Sequence, residues 1–328
     1  MHAMTGSLAL TAALVLAGCD KPAPAAAPAR GAKASVATRA EQGTSAEQVA
    51  QQARGDVSCP ARVATPARAG DAPVDDVMGV RPGLTYEEAA STVVCAHELL
   101  VVDPQPLRGF EIKAFGQKVR QGFSARFAEE RVVKTSKQIL QEMQNDAMAR
   151  GANAVREDFK PGQSRWYVGT MGVPGQERVL SVGREERYAS EQSPTMASLT
   201  AALRKKYGAT TTRELAASAT QMPTLRWAHD PAGRLVAEGT PLFNRCIGHP
   251  DPKVGISLNP DCGVVVEALL VPRKDNPELA DRLLVTIVDQ GGGYRMIAAT
   301  EQALAQADQQ RRAQEVEKAA KTAKGPSL

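Results

Sequence analysis

The side chains with chemistry to offer in this chain are few. There are four histidines (His2, His97, His229 and His249) and five cysteines (Cys19, Cys59, Cys95, Cys246 and Cys262). His249 and Asp251 lie two apart in a Pro- and Gly-containing stretch, IGHPDPKVGISLNPD, bracketed by Cys246 and Cys262. An imidazole and a carboxylate on a closed loop can grip a ligand, so these two residues form the candidate ligand loop. They fall short of a zinc site, which takes roughly three or four ligands. His97 lies among apolar residues of an expected helix and reads as a partly buried structural side chain. His229 ends an expected strand and reads as exposed. No Ser stands in a nucleophile-elbow pattern, and no Cys–His pair is placed for thiol catalysis. Gly291-Gly292-Gly293 lacks both the Lys-Ser/Thr of a phosphate loop and dinucleotide spacing, so it reads as a flexible strand-to-helix turn. No catalytic, cofactor-binding or metal residue is therefore assigned.

The strongest pattern lies at the N-terminus. The run from Ala9 to Gly18 is short, apolar and ends in small residues before Cys19. Such a run has the form of the apolar and cleavage regions of an export signal. Leu16-Ala17-Gly18-Cys19 resembles the lipobox of bacterial lipoproteins. The resemblance implies diacylglycerol on the Cys19 thiol, cleavage before Cys19 and acylation of the new amino group. Two or more acyl chains hold a protein firmly to a bilayer, at about 0.8 kcal/mol per buried methylene. Met1-His2-Ala3-Met4 departs from the pattern by carrying no Lys or Arg. Asp20 beside the lipidated residue implies, by the same resemblance, a lean toward the inner membrane. The expected location is the periplasmic face of a bacterial membrane.

Export places the other sulfurs in an oxidising milieu, where four cysteines pair. Cys246 with Cys262 is favoured because they are close in sequence and bracket a loop with little structure of its own. Closing it stabilises by about 3 kcal/mol in the chain-entropy model. Cys59 with Cys95 follows by elimination.

The elements that must position these groups suggest an α+β fold, with antiparallel sheets, packed helices and two similar subdomains. The expected division is 1–18 signal peptide, 19–73 lipidated Cys and Ala/Pro-rich tether, 74–192 first subdomain, 193–295 second subdomain and 296–328 C-terminal helix and tail. Within the tether, 40–53 has some helical character. Thr85 and Glu88 form a capping-box pattern that opens a helix through Ala89, Val93, Cys95 and Leu99, ended by Pro104 and Pro106. FEIKAF (110–115) and the alternation of Phe123, Ala125 and Phe127 predict strands. Thr135 or Ser136 caps a helix carrying Ile139, Leu140, Met143 and Ala147 and stopped at Gly151. Val173-Pro174-Gly175 joins a hairpin of 166–171 and 178–182. Ser193 and Pro194 open a helix with the stripe Leu199, Leu203 and Tyr207, closed by Gly208. A hairpin of 225–229 and 234–237 turns at Asp230–Gly233. Strands 263–271 and 283–288 pair, and a helix over 296–323 ends the chain.

Asp76-Val77-Met78-Gly79-Val80-Arg81-Pro82-Gly83-Leu84-Thr85, followed by Glu87, Glu88 and Ala89, resembles the opening of small periplasmic assembly lipoproteins of the SmpA/OmlA type. There a Gly-hydrophobic-Thr turn launches a helix before an antiparallel sheet. The likeness covers some 15 residues and implies a scaffold role only by analogy.

The net charge of +4 is too small and too dispersed for nucleic-acid binding. After the N-terminus, no window holds the roughly 20 apolar residues of a membrane span. Arg311, Arg312, Lys318, Lys321 and Lys324 meet Glu315 and Glu317 near the C-terminus; such a tail can touch anionic lipid or peptidoglycan, or form a solvated helix face. The leading expectation is a non-enzymatic envelope lipoprotein that binds a partner protein or peptidoglycan. The alternatives are a periplasmic ligand-binding protein or hydrolase centred on His249 and Asp251, and a periplasmic immunity or inhibitor protein. Intact-mass analysis of membrane-extracted protein is expected to find the chain starting at an acylated Cys19. Cys19→Ser should leave the chain uncleaved and without lipid; wild-type protein with an unmodified Cys19 refutes the assignment.

Overall fold

The computed structural model describes residues 43–59, 72–106, 109–150, 159–210, 223–322 and 325. Cys19, its flanking signal and most of the expected tether lie outside them, as do Gly151 and Lys324. Residues 42–328 form one compact unit. The helices are α1 (Ala46–Arg54), α2 (Tyr86–Val94), α3 (Ser136–Arg150), α4 (Met196–Tyr207), α5 (Pro241–Arg245) and α6 (Gln290–Thr322). The strands are β1 (Leu100–Asp103), β2 (Gly122–Phe127), β3 (Ser164–Met171), β4 (Arg178–Arg187), β5 (Thr224–Ala228), β6 (Val264–Pro272) and β7 (Ala280–Asp289). All seven strands join one antiparallel sheet in the order β1-β2-β3-β4-β7-β6-β5. The fold class is α+β.

The sequence expectation of two subdomains divided near Gln192 meets a single sheet. Each half does open on a Thr-capped helix and continue into a meander, but β4 pairs with β7 along Ser181–Arg187. The halves are related across that seam. Thr85 caps α2 and bridges Arg178 at the start of β4; Thr195 caps α4 and bridges Leu279 just before β7. The two helices share one face of the sheet. There Ala89, Val93 and Leu203 pack with Phe123, Trp166, Val168, Val182, Trp227, Val266, Val285 and Ile287. Each large side chain so buried contributes roughly 1.5–3 kcal/mol.

Several boundaries differ from expectation for physical reasons. The body begins before Val74. Val49 and Ala50 of α1 bury against Val101 and Ala128, and Thr44 bridges Arg131. The Arg54 guanidinium donates to the carbonyls of Val94, His97 and Glu98, at and just beyond the end of α2. Cys59 is bonded to Cys95 at the same point. So α2 stops at Val94, short of Leu99, and the chain turns into β1, which the sequence did not suggest. The 110–115 segment forms no strand because β2 already pairs on both edges, with β1 and β3. Its amides turn to side chains instead, Phe110 N–H to Gln121 and Lys113 N–H to Glu301.

The α4 cap is Thr195, not Ser193. Pro194 and Thr195 are drawn into pairing beside β7, with Ala280 N–H donating to the Pro194 carbonyl at 2.9 Å. The second limb of the 225–237 hairpin is reduced to a bridge between His229 and Leu235. The Thr135 cap does open α3, with reciprocal bonds to Gln138. The glycine triplet is no turn, since it lies inside α6, which starts at Gln290. A Cβ at Gly291 would stand 2.4 Å from the Cys262 carbonyl, so the glycine permits close passage beneath the disulfide. Among the described residues, no helix is long and apolar enough to cross a membrane.

Thr85→Ala and Thr195→Ala are each expected to lower unfolding stability by about 1 kcal/mol. The loss should be larger for Thr85, whose backbone N–H and side chain both bond Glu88. Chemical denaturation of the two variants measures it, and unchanged midpoints refute the capping assignment.

Candidate functional site

The face of the sheet opposite α2 and α4 carries an unusual row. The strand registers align Ser124, Tyr167, Gly183, Thr286, Glu267 and Arg226 across six strands. The next row aligns Gly122, Gly169, Ser181, Val288, Val265 and Ala228. Side chains two apart on a strand share a face, so both rows look the same way. At Gly169 and Gly183 the floor drops to bare backbone.

The loop between Cys246 and Cys262 covers this floor. Those two cysteines are bonded, with Cα atoms 5.6 Å apart. Four contacts pin the loop, three to the sheet and one to the first residue of α6. The Thr286 hydroxyl donates to the His249 carbonyl at 2.5 Å. The Gln290 amide donates to the Ile247 carbonyl. Lys253 Nζ stands 3.2 Å from Oε2 of buried Glu185. Pro252 lies directly over Gly183, where a Cβ would come within 2.1 Å of the Pro252 Cβ. Loop formation is thus bound to a glycine on β4.

Beneath the loop is a cavity of about 260 Å³. Its floor is Tyr167, Gly169, Ser181, Gly183, Thr286 and Val288; its roof runs from Gly248 to Ile256; its remaining wall is Gly109, Phe110 and Glu111. The sequence-derived candidates His249 and Asp251 both line it. His249 holds φ +63°, a left-handed conformation costing roughly 1–2 kcal/mol for a residue with a Cβ. Its carbonyl is fixed by Thr286, and its Nδ1 accepts the Asp251 backbone N–H at 3.2 Å. With Nδ1 an acceptor, the proton of the neutral ring resides on Nε2, which becomes a donor. Ser181 is 6% exposed, and its hydroxyl has no hydrogen-bond partner among the described residues.

Ser, His and Asp therefore line one cavity without forming a hydrolytic relay. A relay needs Nδ1–H donating to a carboxylate and Nε2 free as base; here Nδ1 accepts a backbone amide. The site is equipped to donate hydrogen bonds. Among the described residues, no group of three or more His, Cys, Asp or Glu could hold a metal ion.

Buried charge supports the floor. Glu267 is 0% exposed and bound by Arg226, whose guanidinium stacks 5.0 Å over the Phe243 ring. Burial raises the Glu267 carboxyl above its usual range, opposed by Arg226 and by the Gly248 backbone N–H. Burial and then the Glu185 charge raise the Tyr167 hydroxyl. Comparison with protein-family models, characterised proteins and solved structures finds no match for this chain. The cavity is read from its own geometry.

The other sequence candidates lie apart from it. Both predicted disulfides are present. His97 follows α2 instead of lying in it and is exposed, with its ring 4.4 Å from Phe127; the earlier helix end carries it outward. His229 is buried at 7%, not exposed, because its ring lies against the Val264 carbonyl at 3.1 Å. Three of the basic groups near the C-terminus are internally paired: Arg311 with Asp308 and Glu315, Arg312 with Asp308, and Lys321 with Glu317. Sequence reasoning missed Ser181, Tyr167 and Thr286. A charge in the middle of GVVVEALLV was a visible sign of Glu267.

Removing Arg226 strands a buried carboxylate, so Arg226→Met is expected to cost about 3 kcal/mol at pH 7. The folded carboxyl titrates above its unfolded value. Its protonated form is therefore favoured in the fold, and the stability this gives is present below about pH 4.5 and lost as pH rises through the folded pKa. The Arg226→Met deficit should accordingly shrink at pH 4, and Glu267→Gln should cost less than Arg226→Met at pH 7. Urea titrations at both pH values test this; a deficit equal at pH 4 and 7 contradicts it.

Proposed function

We propose that this protein is a lipid-anchored envelope binding protein, tethered through Cys19 on the periplasmic side of a membrane, that holds a small ligand in the cavity beneath the Cys246–Cys262 loop. The observation that carries the reading is the Ser181 hydroxyl, which lines the floor of a walled cavity and has no hydrogen-bond partner among the described residues. A hydroxyl on a cavity floor with no protein partner is left to bond water or a ligand. A ligand acceptor satisfies it. The strained His249 and the four pins on its loop fit a preformed site. The two disulfides support an oxidising compartment, and the lipobox-like LAGC supports the anchor. Asp20 inclines the anchor to the inner membrane.

A second reading, docking to an envelope protein, rests on α3. Ile139, Leu140 and Met143 stand exposed there, Met143 at 64%, with Val132 and Val133 exposed just before the helix. Full-length protein extracted gently from membranes is expected to carry a small-molecule adduct in native mass spectrometry. Ile256→Trp, which fills the cavity from its roof, should carry none. Wild-type protein without an adduct refutes the ligand reading. A photo-crosslinked species formed from position 143 in intact cells, and lost in Leu140→Glu, would instead favour docking.

A further inference from the structure

The chemistry of the lining goes further and, resting on the cavity as a ligand site, indicates the class of ligand. We infer that the cavity takes an uncharged molecule through a carbonyl-type acceptor held by the Ser181 hydroxyl and His249 Nε2–H, with an apolar body leading outward along α6.

Three observations carry this. First, two donors in the lining have hydrogen bonds left to make. Ser181 has no partner, and His249 Nε2 holds the proton because Nδ1 is occupied by the Asp251 amide. The Thr286 proton is already committed to the His249 carbonyl. A group that accepts, and need not donate, is the complement. Second, the lining contains no Lys or Arg, whereas Asp251 and Glu111 both stand in it. Lys253 and Arg282 are engaged by Glu185, and Arg226 by Glu267. A carboxylate or phosphate would shed its water with no counter-charge in exchange, a cost of several kcal/mol. A ketone, amide or ester carbonyl avoids it. Third, the rest of the wall is apolar, with Phe110, Val254, Ile256 and Val288 in the lining. Phe110, Glu111 and Ile256 also border a groove of about 310 Å³ that continues along Tyr294 and Ile297 of α6. The Lys113 amide bonded to Glu301 ties the outer wall of that groove to the helix. An elongated ligand thus has its acceptor at the sheet and its apolar end toward solvent beside α6.

Prodan, an uncharged naphthalene ketone whose emission reports hydrogen bonding to its carbonyl, tests the assignment. The chain from Asp20 onward keeps the compact unit whole and needs no detergent. Saturable binding with increased emission is expected. Ser181→Ala should weaken it by about three- to tenfold, the worth of one hydrogen bond, and shift the bound emission further to the blue as the carbonyl loses a donor. Ser124→Ala lies on the same face outside the cavity and should change neither. Equal affinity and equal emission in wild type and Ser181→Ala overturn the inference. So does an anionic naphthalene sulfonate, or a cationic naphthylalkylamine, that binds the wild type more tightly than prodan and is displaced from it by Ile256→Trp. If membrane-extracted protein carries a small-molecule adduct while prodan fails to bind, the cavity reading stands and the ligand class falls.

Discussion

The pairing of β4 with β7 is the constraint on which the rest depends. It turns two meanders into one sheet and sets Ser181 opposite Val288 and Gly183 opposite Thr286. The cavity floor is built from β3 and β4 on one side of this seam and from β7 on the other, residues roughly a hundred positions apart in sequence. A register slip of one residue would send Ser181 and Thr286 to the face occupied by α2 and α4 and expose the apolar set in their place. The apolar packing that fixes the register on one face therefore also aligns the polar rows on the other.

The loop and the floor are matched to each other. Gly183 leaves room for Pro252, Thr286 fixes the His249 backbone, and Gly248 lies over the Val265 and Glu267 side chains. The disulfide limits how far the loop ends can separate, yet it does not itself shape the cavity. That shape comes from sheet residues with small or hydroxyl side chains, flanked by an ion pair too buried to solvate. Arg226 and Glu267 lie at the far end of the same polar row, so the charge that would otherwise sit uncompensated under the loop is neutralised within the sheet.

Local signals were legible in the sequence wherever a short-range rule governed them. The Thr85-Glu88 box, the Pro174-Gly175 hairpin, the β6 and β7 apolar runs and the Cys246–Cys262 staple all depend on near neighbours. The failures came where distant contacts overrode local preference. Phe110 to Phe115 alternates like a strand but finds both edges of β2 taken. Ser193 is a suitable cap, but its neighbours are drawn into pairing beside β7. His229 looked like the end of an exposed hairpin and instead lies against Val264 of β6. The constrained segment carrying His249 and Asp251 was legible, because closely spaced cysteines and prolines mark it. Ser181, Tyr167 and Thr286 were not, because each is an ordinary strand residue until register places it beside a glycine.

The attachment of α1 has a mechanical consequence. Arg54 grips the three carbonyls at and just beyond the end of α2, and Cys59 is covalently joined to Cys95 beside them. A tension arriving along the chain from the N-terminal side meets Thr44 and α1 first, then passes through a covalent crosslink into α2, which is embedded in the main core. Part of such a load also reaches the edge strand β1, on which Val49 and Ala50 of α1 pack, while the crosslink carries the rest into α2. The central strands β3, β4 and β7, and the cavity they floor, lie away from the point where such a load enters.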